Sequence, residues 1–146
     1  MLNYVAVAIG SALGGVARYG FALLVARWLG DAFPWGTILI NILGSFVIGF
    51  FATLTRPDGR WRVAPALRLF VMVGICGGYT TFSAFSLQTF ELLRHGAALA
   101  ALANVGLSLA LCLLAVWLGH EGAAALTRPT EIPARDPSLG GIARKD

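Results

Sequence analysis

The chain has 146 residues, of which 58% are hydrophobic and only 12% are charged, and its mean hydropathy is +0.77. Soluble domains carry about 25% charged residues, so a soluble enzyme is not a suitable interpretation. The net charge is +4, but the basic residues lie beside apolar runs, as membrane topology signals do. We therefore expect a lipid bilayer as a partner and no nucleic acid.

Four long apolar segments predict four transmembrane helices, at residues 4–29, 35–54, 65–93 and 97–118. Each is long enough to cross a hydrocarbon core of about 30 Å. Backbone groups in lipid must find hydrogen bonds inside the protein, which favours helices. We expect an all-α integral membrane protein with its transmembrane domain at residues 1–120. The polar, proline-containing segment 121–146 predicts a disordered tail.

The arginines indicate an orientation, because short connections make successive spans antiparallel. The side that carries both termini and the second loop has more of them: Arg56, Arg60, Arg62, Arg68, Arg128 and Arg135. The other side has Arg27 and Arg94. The positive-inside rule therefore predicts that both termini lie in the cytoplasm.

The first two spans each contain polar residues that suggest a function. Arg18 lies within the first apolar run, where it is either an interfacial anchor or a positive charge that draws anions into a vestibule. Thr37 and Asn41 are four residues apart and share a face of the second span. They either hydrogen-bond to other helices or donate hydrogen bonds to a permeating ligand.

The third span combines Gly74, Gly77 and Gly78 with a cluster of hydroxyl residues. These glycines can either allow close helix packing or let the helix break. A break would free inward-facing backbone carbonyls, which suit a hard cation. Phe82 and Phe85 follow at helical spacing, and such a pair is either core or a source of positive ring edges for a small anion.

The fourth span carries Asn104, Ser108 and Cys112 in one stripe, which is either a polar track or a helix contact face. Glu91 is the only acid inside a predicted span. Plentiful hydrogen-bond donors with few acids favour an anion over a cation as the permeating species. No nucleophile–base pair or metal-ligand cluster indicates an enzyme.

Three motifs, in order, resemble the Fluc (CrcB) family of fluoride-specific ion channels. They are GGVARY at residues 14–19, GT at residues 36–37 followed by Asn41 and Gly44, and GGYTTFSAFS at residues 77–86. The similarity covers all four spans. The resemblance implies a third helix broken mid-membrane and two subunits that insert antiparallel as a dual-topology dimer with two pores.

The resemblance also assigns expected roles to individual residues. Phe82 and Phe85 would offer ring edges to fluoride, and Asn41 would donate a hydrogen bond to it. The remaining expected pore and vestibule residues are Thr37, Thr81, Ser83, Ser108 and Arg18. A structural Na⁺ would be held by the backbone carbonyls of Gly77 and Thr80 from both subunits.

Three positions depart from the family pattern. Ala84 replaces a usual threonine, Gln88 a usual glutamate, and Cys112 a common serine or threonine. The arginine bias is a further departure, because dual topology expects little bias. The partner is therefore either a second copy of the chain or an oppositely oriented paralogous subunit.

We expect passive fluoride export across the bacterial cytoplasmic membrane. A small proton-coupled multidrug transporter is a weaker alternative, because that chemistry needs an acid deep in a span, and the first span holds Arg18 and no acid. An accessory membrane protein without transport would leave the hydroxyl and phenylalanine cluster without a purpose.

Overall fold

The computed structural model describes residues 1–56 and 61–127, and all regular structure within them is helical. This confirms the all-α prediction. The elements are α1 (Leu2–Leu29), α2 (Trp35–Leu54), α3 (Pro65–Leu69), a π-helical segment that we call π1 (Phe70–Cys76), α4 (Gly77–Tyr79), α5 (Phe82–Arg94) and α6 (Ala98–Thr127). Four stretches are long and apolar enough to span a membrane: α1, α2, the combined stretch Pro65–Arg94, and α6.

Glycine and proline set several of the helix boundaries. α1 ends at Gly30 with a φ of 72°, and Gly96, between α5 and α6, has a φ of 75°. Both values lie in the left-handed region that glycine adopts without steric cost. Pro65 occupies the first turn of α3, where its missing N–H costs nothing. Gly30 and Gly96 thus lie in the short connections that follow α1 and α5.

The last helix continues to Thr127, beyond the predicted domain boundary at residue 120. Residues 121–127 were predicted to be part of a disordered tail, and the structure corrects this. Packing explains the difference, because Ala123 is completely buried and the Thr53 hydroxyl lies 2.8 Å from His120 Nδ1. Residues 128–146 of the predicted tail lie outside the described residues, as do Arg60, Arg128 and Arg135.

Glycines bring α1 into backbone contact with the first half of the third span. A Cβ built on Gly10 would lie 2.8 Å from the Cα of Gly74, and one built on Gly78 would lie 2.9 Å from the Cα of Ser11. A Cβ on Gly14 would overlap the carbonyl oxygen of Ile75. Small residues spaced four apart permit this approach. The packing interpretation of the third-span glycines therefore holds for Gly74 and Gly78.

A second glycine seam joins α2 to α6. A Cβ on Gly49 would lie 3.1 Å from the Cα of Val116, and one on Gly119 would lie 2.8 Å from the backbone nitrogen of Phe50. The Thr53 hydroxyl donates to the Gly49 carbonyl over 2.9 Å. Its single proton is then committed, so the 2.8 Å contact with His120 requires His120 Nδ1 to be the donor.

Large apolar side chains cover the outside of the bundle. Val16, Leu102 and Leu113 are each about 70% exposed or more, at 73%, 69% and 71%. A soluble monomer rarely exposes apolar surface of this extent, whereas lipid solvates such side chains as well as a protein core does. The chain is therefore a multi-pass membrane protein.

Candidate pore cavity

The third span changes from helical to extended backbone at two threonines. α4 ends at Tyr79, and Thr80 (φ −81°, ψ 159°) and Thr81 (φ −153°, ψ 116°) have extended backbone before α5 begins at Phe82. Gly77, by contrast, is helical, with φ −65° and ψ −37°. The change of backbone conformation thus lies at the threonines and not at the glycines.

Asn41 on α2 binds the extended backbone of Thr81 through both ends of its side-chain amide. Asn41 Nδ2 donates to the Thr81 carbonyl over 3.1 Å, and the Thr81 N–H donates to Asn41 Oδ1 over 2.9 Å. The asparagine therefore satisfies a peptide group that the helix does not. Because Nδ2 carries two hydrogens, one N–H of Asn41 stays available after this exchange.

Thr81 also begins the next helix. Its hydroxyl oxygen accepts from the backbone N–H of Ala84 over 3.2 Å, which is the hydrogen bond of an N-cap. The Ser83 hydroxyl lies 3.2 Å from the same oxygen. Thr81 is only 9% exposed, so its backbone and hydroxyl are held by protein groups on two sides.

The side chains of Asn41 and Thr81 accept hydrogen bonds from two backbone N–H groups that would pair with backbone carbonyls in a regular helix. In an uninterrupted helix the Gly77 carbonyl accepts from the Thr81 N–H, and the Thr80 carbonyl accepts from the Ala84 N–H. Here the Thr81 N–H goes to Asn41 and the Ala84 N–H goes to the Thr81 hydroxyl. The carbonyls of Gly77 and Thr80 therefore both lack their usual helical donor.

A cavity of about 340 Å³ opens beside this interruption. Its lining combines residues from α2, the third span and α6, and it includes most of the residues selected from the sequence: Asn41, Gly77, Thr80, Thr81, Phe82, Phe85 and Ser108. The described residues that line it include no carboxylate, lysine or arginine. The cavity is thus polar through amide, hydroxyl and backbone groups and carries no fixed charge from these side chains.

The two phenylalanines lie together at the mouth of the cavity. Their ring centroids are 5.3 Å apart and the ring planes are tilted by 44°. Phe82 is 76% exposed, whereas Phe85 is half-buried. A phenyl side chain that is mostly exposed is not core, so the core interpretation fails for Phe82.

Asn104, the first residue of the stripe on α6, makes a buried polar contact with α5. Asn104 is completely buried, and its Nδ2 donates to the Thr89 hydroxyl over 2.8 Å. Thr89 in turn donates to the Phe85 carbonyl over 2.7 Å. Ser108 is 6% exposed, and its hydroxyl has no hydrogen-bond partner among the described residues. The Ser108 side chain lines the cavity, and its buried hydroxyl oxygen lacks the hydrogen-bond partner that such a group normally has.

A second cavity, of about 530 Å³, lies where α1, the α1–α2 turn and the end of α5 meet. Thr37 lines it, together with Gln88 and the titratable residues Asp31, Glu91 and His95. Thr37 and Asn41 therefore line different cavities, although both belong to α2. Asp31 and Glu91 therefore line this second cavity and not the cavity beside Phe82 and Phe85.

Two of the residues selected from the sequence stand apart from both cavity linings. Arg18 is half-buried on α1, and Ser83 is exposed on α5, where it contacts Thr81. The sequence did not predict that Cys76 and Met72 line the cavity. It also did not predict a packing role for Gly44. A Cβ on Gly44 would overlap the Thr80 methyl group. The position of Gly44, three residues after Asn41 on α2, was the feature of the sequence that could have indicated this contact.

Comparison with known proteins identifies the family. The family model described as "CrcB-like protein, Camphor Resistance (CrcB)" matches residues 5–120. A protein of Methylocella silvestris named "Fluoride-specific ion channel FluC" is 54% identical over 127 residues, which cover 87% of this chain and 97% of that protein.

Two further relatives carry the same name. The Rhodospirillum rubrum protein is 57% identical over 122 residues, covering 84% of this chain and 95% of the relative. The Paramagnetospirillum magneticum protein is 56% identical over 128 residues, covering 88% of this chain and 100% of the relative. With a family match over most of its length and relatives at this identity, the chain belongs to the CrcB family.

Proposed function

We propose that the chain is a subunit of a fluoride-selective channel that lets fluoride leave the cell passively. The observation that carries this proposal is the gathering of Asn41, Phe82, Phe85 and Ser108 at one uncharged cavity beside the interrupted third span. The names of the relatives, which are fluoride-specific ion channels, support the same conclusion.

Fluoride is small and strongly hydrated, so a pore must replace its water with hydrogen-bond donors. The cavity offers the free N–H of Asn41 and the unpaired hydroxyl of Ser108. The positive edges of Phe82 and Phe85 add a weak attraction. A fixed guanidinium in the same place would hold the anion too tightly for rapid release, and the lining has none.

A second subunit would complete the pathway. The cavity opens on the face where Phe82 is 76% exposed, so another chain can close it. We propose an antiparallel dimer with two pores, formed either by a second copy of this chain or by a paralogous subunit of opposite orientation. The arginine bias favours the paralogous subunit, because a second copy would have to insert in the opposite orientation. The membrane would be the bacterial cytoplasmic membrane.

The carbonyls of Gly77 and Thr80 fit a structural Na⁺. Their helical donors are diverted to Asn41 and Thr81, and both residues line the cavity wall. Backbone carbonyl oxygens are ligands for hard monovalent cations. When bound, the ion would supply a positive charge that joins two subunits and favours nearby anions.

The remaining selected residues have supporting parts in this proposal. Thr81 and Ser83 form a hydroxyl pair at the start of α5. Arg18 and Thr37 would act at the approaches to the pore, since Thr37 lines the second cavity at one end of the bundle. Cys112 lines the main cavity, so the departure from serine or threonine weakens the hydroxyl track at that point.

Fluoride efflux from liposomes tests the proposal. Purified protein should release fluoride and not chloride, as measured with ion-selective electrodes. Phe82→Ile should reduce fluoride efflux at least about tenfold, because an aliphatic side chain of similar bulk has no positive ring edge. Phe21→Ile is the matched control, because Phe21 packs against Tyr79 away from the cavity. Equal flux of both halides, or unchanged flux in Phe82→Ile, would contradict the proposal.

A further inference from the structure

The helix that carries both phenylalanines, α5, has no buried residue. By contrast, α2 contains five buried residues and α6 contains six. Apolar packing within the chain therefore does little to fix the position of α5. Directional hydrogen bonds from other helices are then the contacts that can hold it in one place.

Two asparagines from other helices bind α5, one on each side of the phenylalanines. Asn41 of α2 pairs with the backbone of Thr81, the N-cap of α5. Asn104 of α6 donates to the Thr89 hydroxyl over 2.8 Å. Among the described residues, this is the only side-chain hydrogen bond between α5 and α6. The first asparagine lies near the middle of the third span, and the second lies two helical turns further along α5.

The Thr89 hydroxyl determines which atom of the Asn104 amide faces it. The single hydroxyl proton of Thr89 is donated to the Phe85 carbonyl over 2.7 Å. The Thr89 oxygen is therefore an acceptor, and Asn104 must present its Nδ2 to it. The Asn104 Oδ1 has no hydrogen-bond partner among the described residues, although the side chain is completely buried.

Stability does not explain a buried amide of this kind. An unpaired buried carbonyl costs free energy of the same order as a single interhelical hydrogen bond contributes. A buried polar residue can instead specify one arrangement of packed helices, as a single asparagine does in coiled coils. Asn104 therefore contributes to the placement of α5 against α6 more than to the free energy of folding.

The Asn104–Thr89 contact lies one helical turn from two residues of the cavity of about 340 Å³. The connection between α5 and α6 is short, so the two helices run antiparallel. Phe85 lies four residues before Thr89, and Ser108 lies four residues after Asn104. Residues four apart share a helix face, so both residues lie on the same side of this contact. Phe85 and Ser108 both line the cavity.

We propose that Asn104 and Thr89 are a positioning pair that holds Phe85 opposite Ser108 and thereby sets the selectivity for fluoride over chloride. This inference rests on the proposed fluoride function. Neither Asn104 nor Thr89 lines the cavity, so the pair acts through Phe85 and not by contact with the halide. Without the pair, α5 shifts or rotates, and the cavity then admits the larger chloride ion.

Halide efflux from liposomes tests the effect on selectivity. Thr89→Val removes the hydroxyl and keeps the branched shape, and Asn104→Leu removes the donor and keeps the volume. Each should lower the ratio of fluoride efflux to chloride efflux at least about tenfold, because binding groups must be held within about 0.5 Å of their working positions. Thr89→Ser retains the hydroxyl and should preserve the wild-type ratio.

Ser86→Ala is the matched control. The Ser86 hydroxyl donates to the Phe82 carbonyl over 2.9 Å, which is the same kind of bond that Thr89 makes to Phe85, but it has no partner on α6 among the described residues. Its removal should leave the halide ratio unchanged. A loss of selectivity as large as that of Thr89→Val would indicate general loosening of α5 and overturn the proposal.

A double variant tests whether the two side chains act as one unit. Asn104→Leu combined with Thr89→Val should match the single variants, because either change alone already removes the contact. Losses of selectivity that add up in the double variant would show two independent roles and overturn the pair. Wild-type selectivity in both single variants would overturn it as well.

A ¹⁹F NMR signal reports the surroundings of Phe85 without any transport measurement. With 4-fluorophenylalanine at position 85, the wild-type protein in fluoride-free detergent solution should give one narrow line. Thr89→Val and Asn104→Leu should shift or broaden this line, and Thr89→Ser should not. Unchanged spectra in both variants would overturn the positioning role, whether or not the wild type releases fluoride. Changed spectra with wild-type selectivity would keep the positioning pair and contradict the placement of the fluoride pathway beside Phe85.

Discussion

The two halves of the third span both contain small residues, but glycines determine the structure of the first half and threonines that of the second. In the first half, Gly74 and Gly78 stay helical and bring the backbone against α1. In the second half, Thr80 and Thr81 leave the helix. Asn41 then pairs with the Thr81 N–H and carbonyl, and the Thr81 hydroxyl accepts from the Ala84 N–H. Glycine here serves packing, whereas polar side chains support the non-helical backbone.

A non-helical stretch inside a membrane helix can persist only where protein groups satisfy its backbone. A helix with glycines keeps its hydrogen bonds if a neighbour covers it closely, since lipid offers no alternative partner. A break needs partners that replace the lost hydrogen bonds, and Asn41 supplies a donor and an acceptor from another helix. The position of the polar partner, and not the position of the glycines, decides where the backbone becomes extended.

The largest expected effect comes from breaking the glycine-packed half. Gly14→Val places a branched side chain against the Ile75 carbonyl and the backbone of Gly78 and Tyr79. Overpacking against backbone costs about 1–3 kcal/mol or more, so we expect a large fall in the melting temperature in detergent. Gly15→Val is the matched control, because nothing lies within 4 Å of a Cβ at Gly15. Equal stability of the two variants would contradict the close approach.

An intermediate effect is expected when the support of the extended backbone is removed. Asn41→Leu keeps the volume but leaves the Thr81 N–H and carbonyl without their partners. Both hydrogen bonds are only part-buried, so each lost bond costs about 0.5–1.5 kcal/mol. Fluoride efflux should fall by more than stability explains, because the free N–H is lost as well. Stability comes from thermal unfolding and efflux from a fluoride electrode.

Asn41→Asp separates the role of the amide donor from that of the amide acceptor. The carboxylate still accepts from the Thr81 N–H but no longer donates to the Thr81 carbonyl, and its negative charge faces the cavity. Stability should therefore lie between those of the wild type and Asn41→Leu, while fluoride efflux should be as low as in Asn41→Leu. Wild-type efflux in Asn41→Asp would show that the amide donor does not contact fluoride.

The sequence predicted the spans and the cavity residues to different extents. Apolar run length sufficed for four spans, because lipid imposes that length on any helix. The family motifs selected Asn41, Phe82 and Phe85, and the polar stripe on the fourth span selected Ser108. The fold brings all four to one cavity. Their functional roles remain predictions.

Other features needed the three-dimensional arrangement. The reciprocal pairing of Asn41 with Thr81 joins residues 40 positions apart, and no local pattern reports such a contact. The extension of α6 to Thr127 depends on burial of Ala123 and on the contact between Thr53 and His120. Thr37 shares a helix with Asn41 but lines another cavity, because neighbouring helices divide the space beside α2.

The weakest change in stability is expected from loss of the N-cap of α5 at Thr81. Thr81→Val keeps the branched shape and removes the hydroxyl that accepts from the Ala84 N–H. Loss of an N-cap costs about 1 kcal/mol, which corresponds to a shift in melting temperature of about 2–4 °C for a chain of this size. Thr81→Ser, which retains the hydroxyl, should stay close to the wild type.

The sodium requirement of the proposed dimer distinguishes a cap that only stabilises α5 from one that also shapes the proposed cation site. Without the Thr81 hydroxyl, the Ala84 N–H can return to the Thr80 carbonyl, as in a regular helix. That carbonyl would then be a weaker ligand for the proposed Na⁺, so Thr81→Val should need more Na⁺ than Thr81→Ser to hold the proposed dimer together. Dimer dissociation followed by size-exclusion chromatography across a sodium series measures this difference. Equal sodium requirements in the two variants would restrict Thr81 to its role as a helix cap.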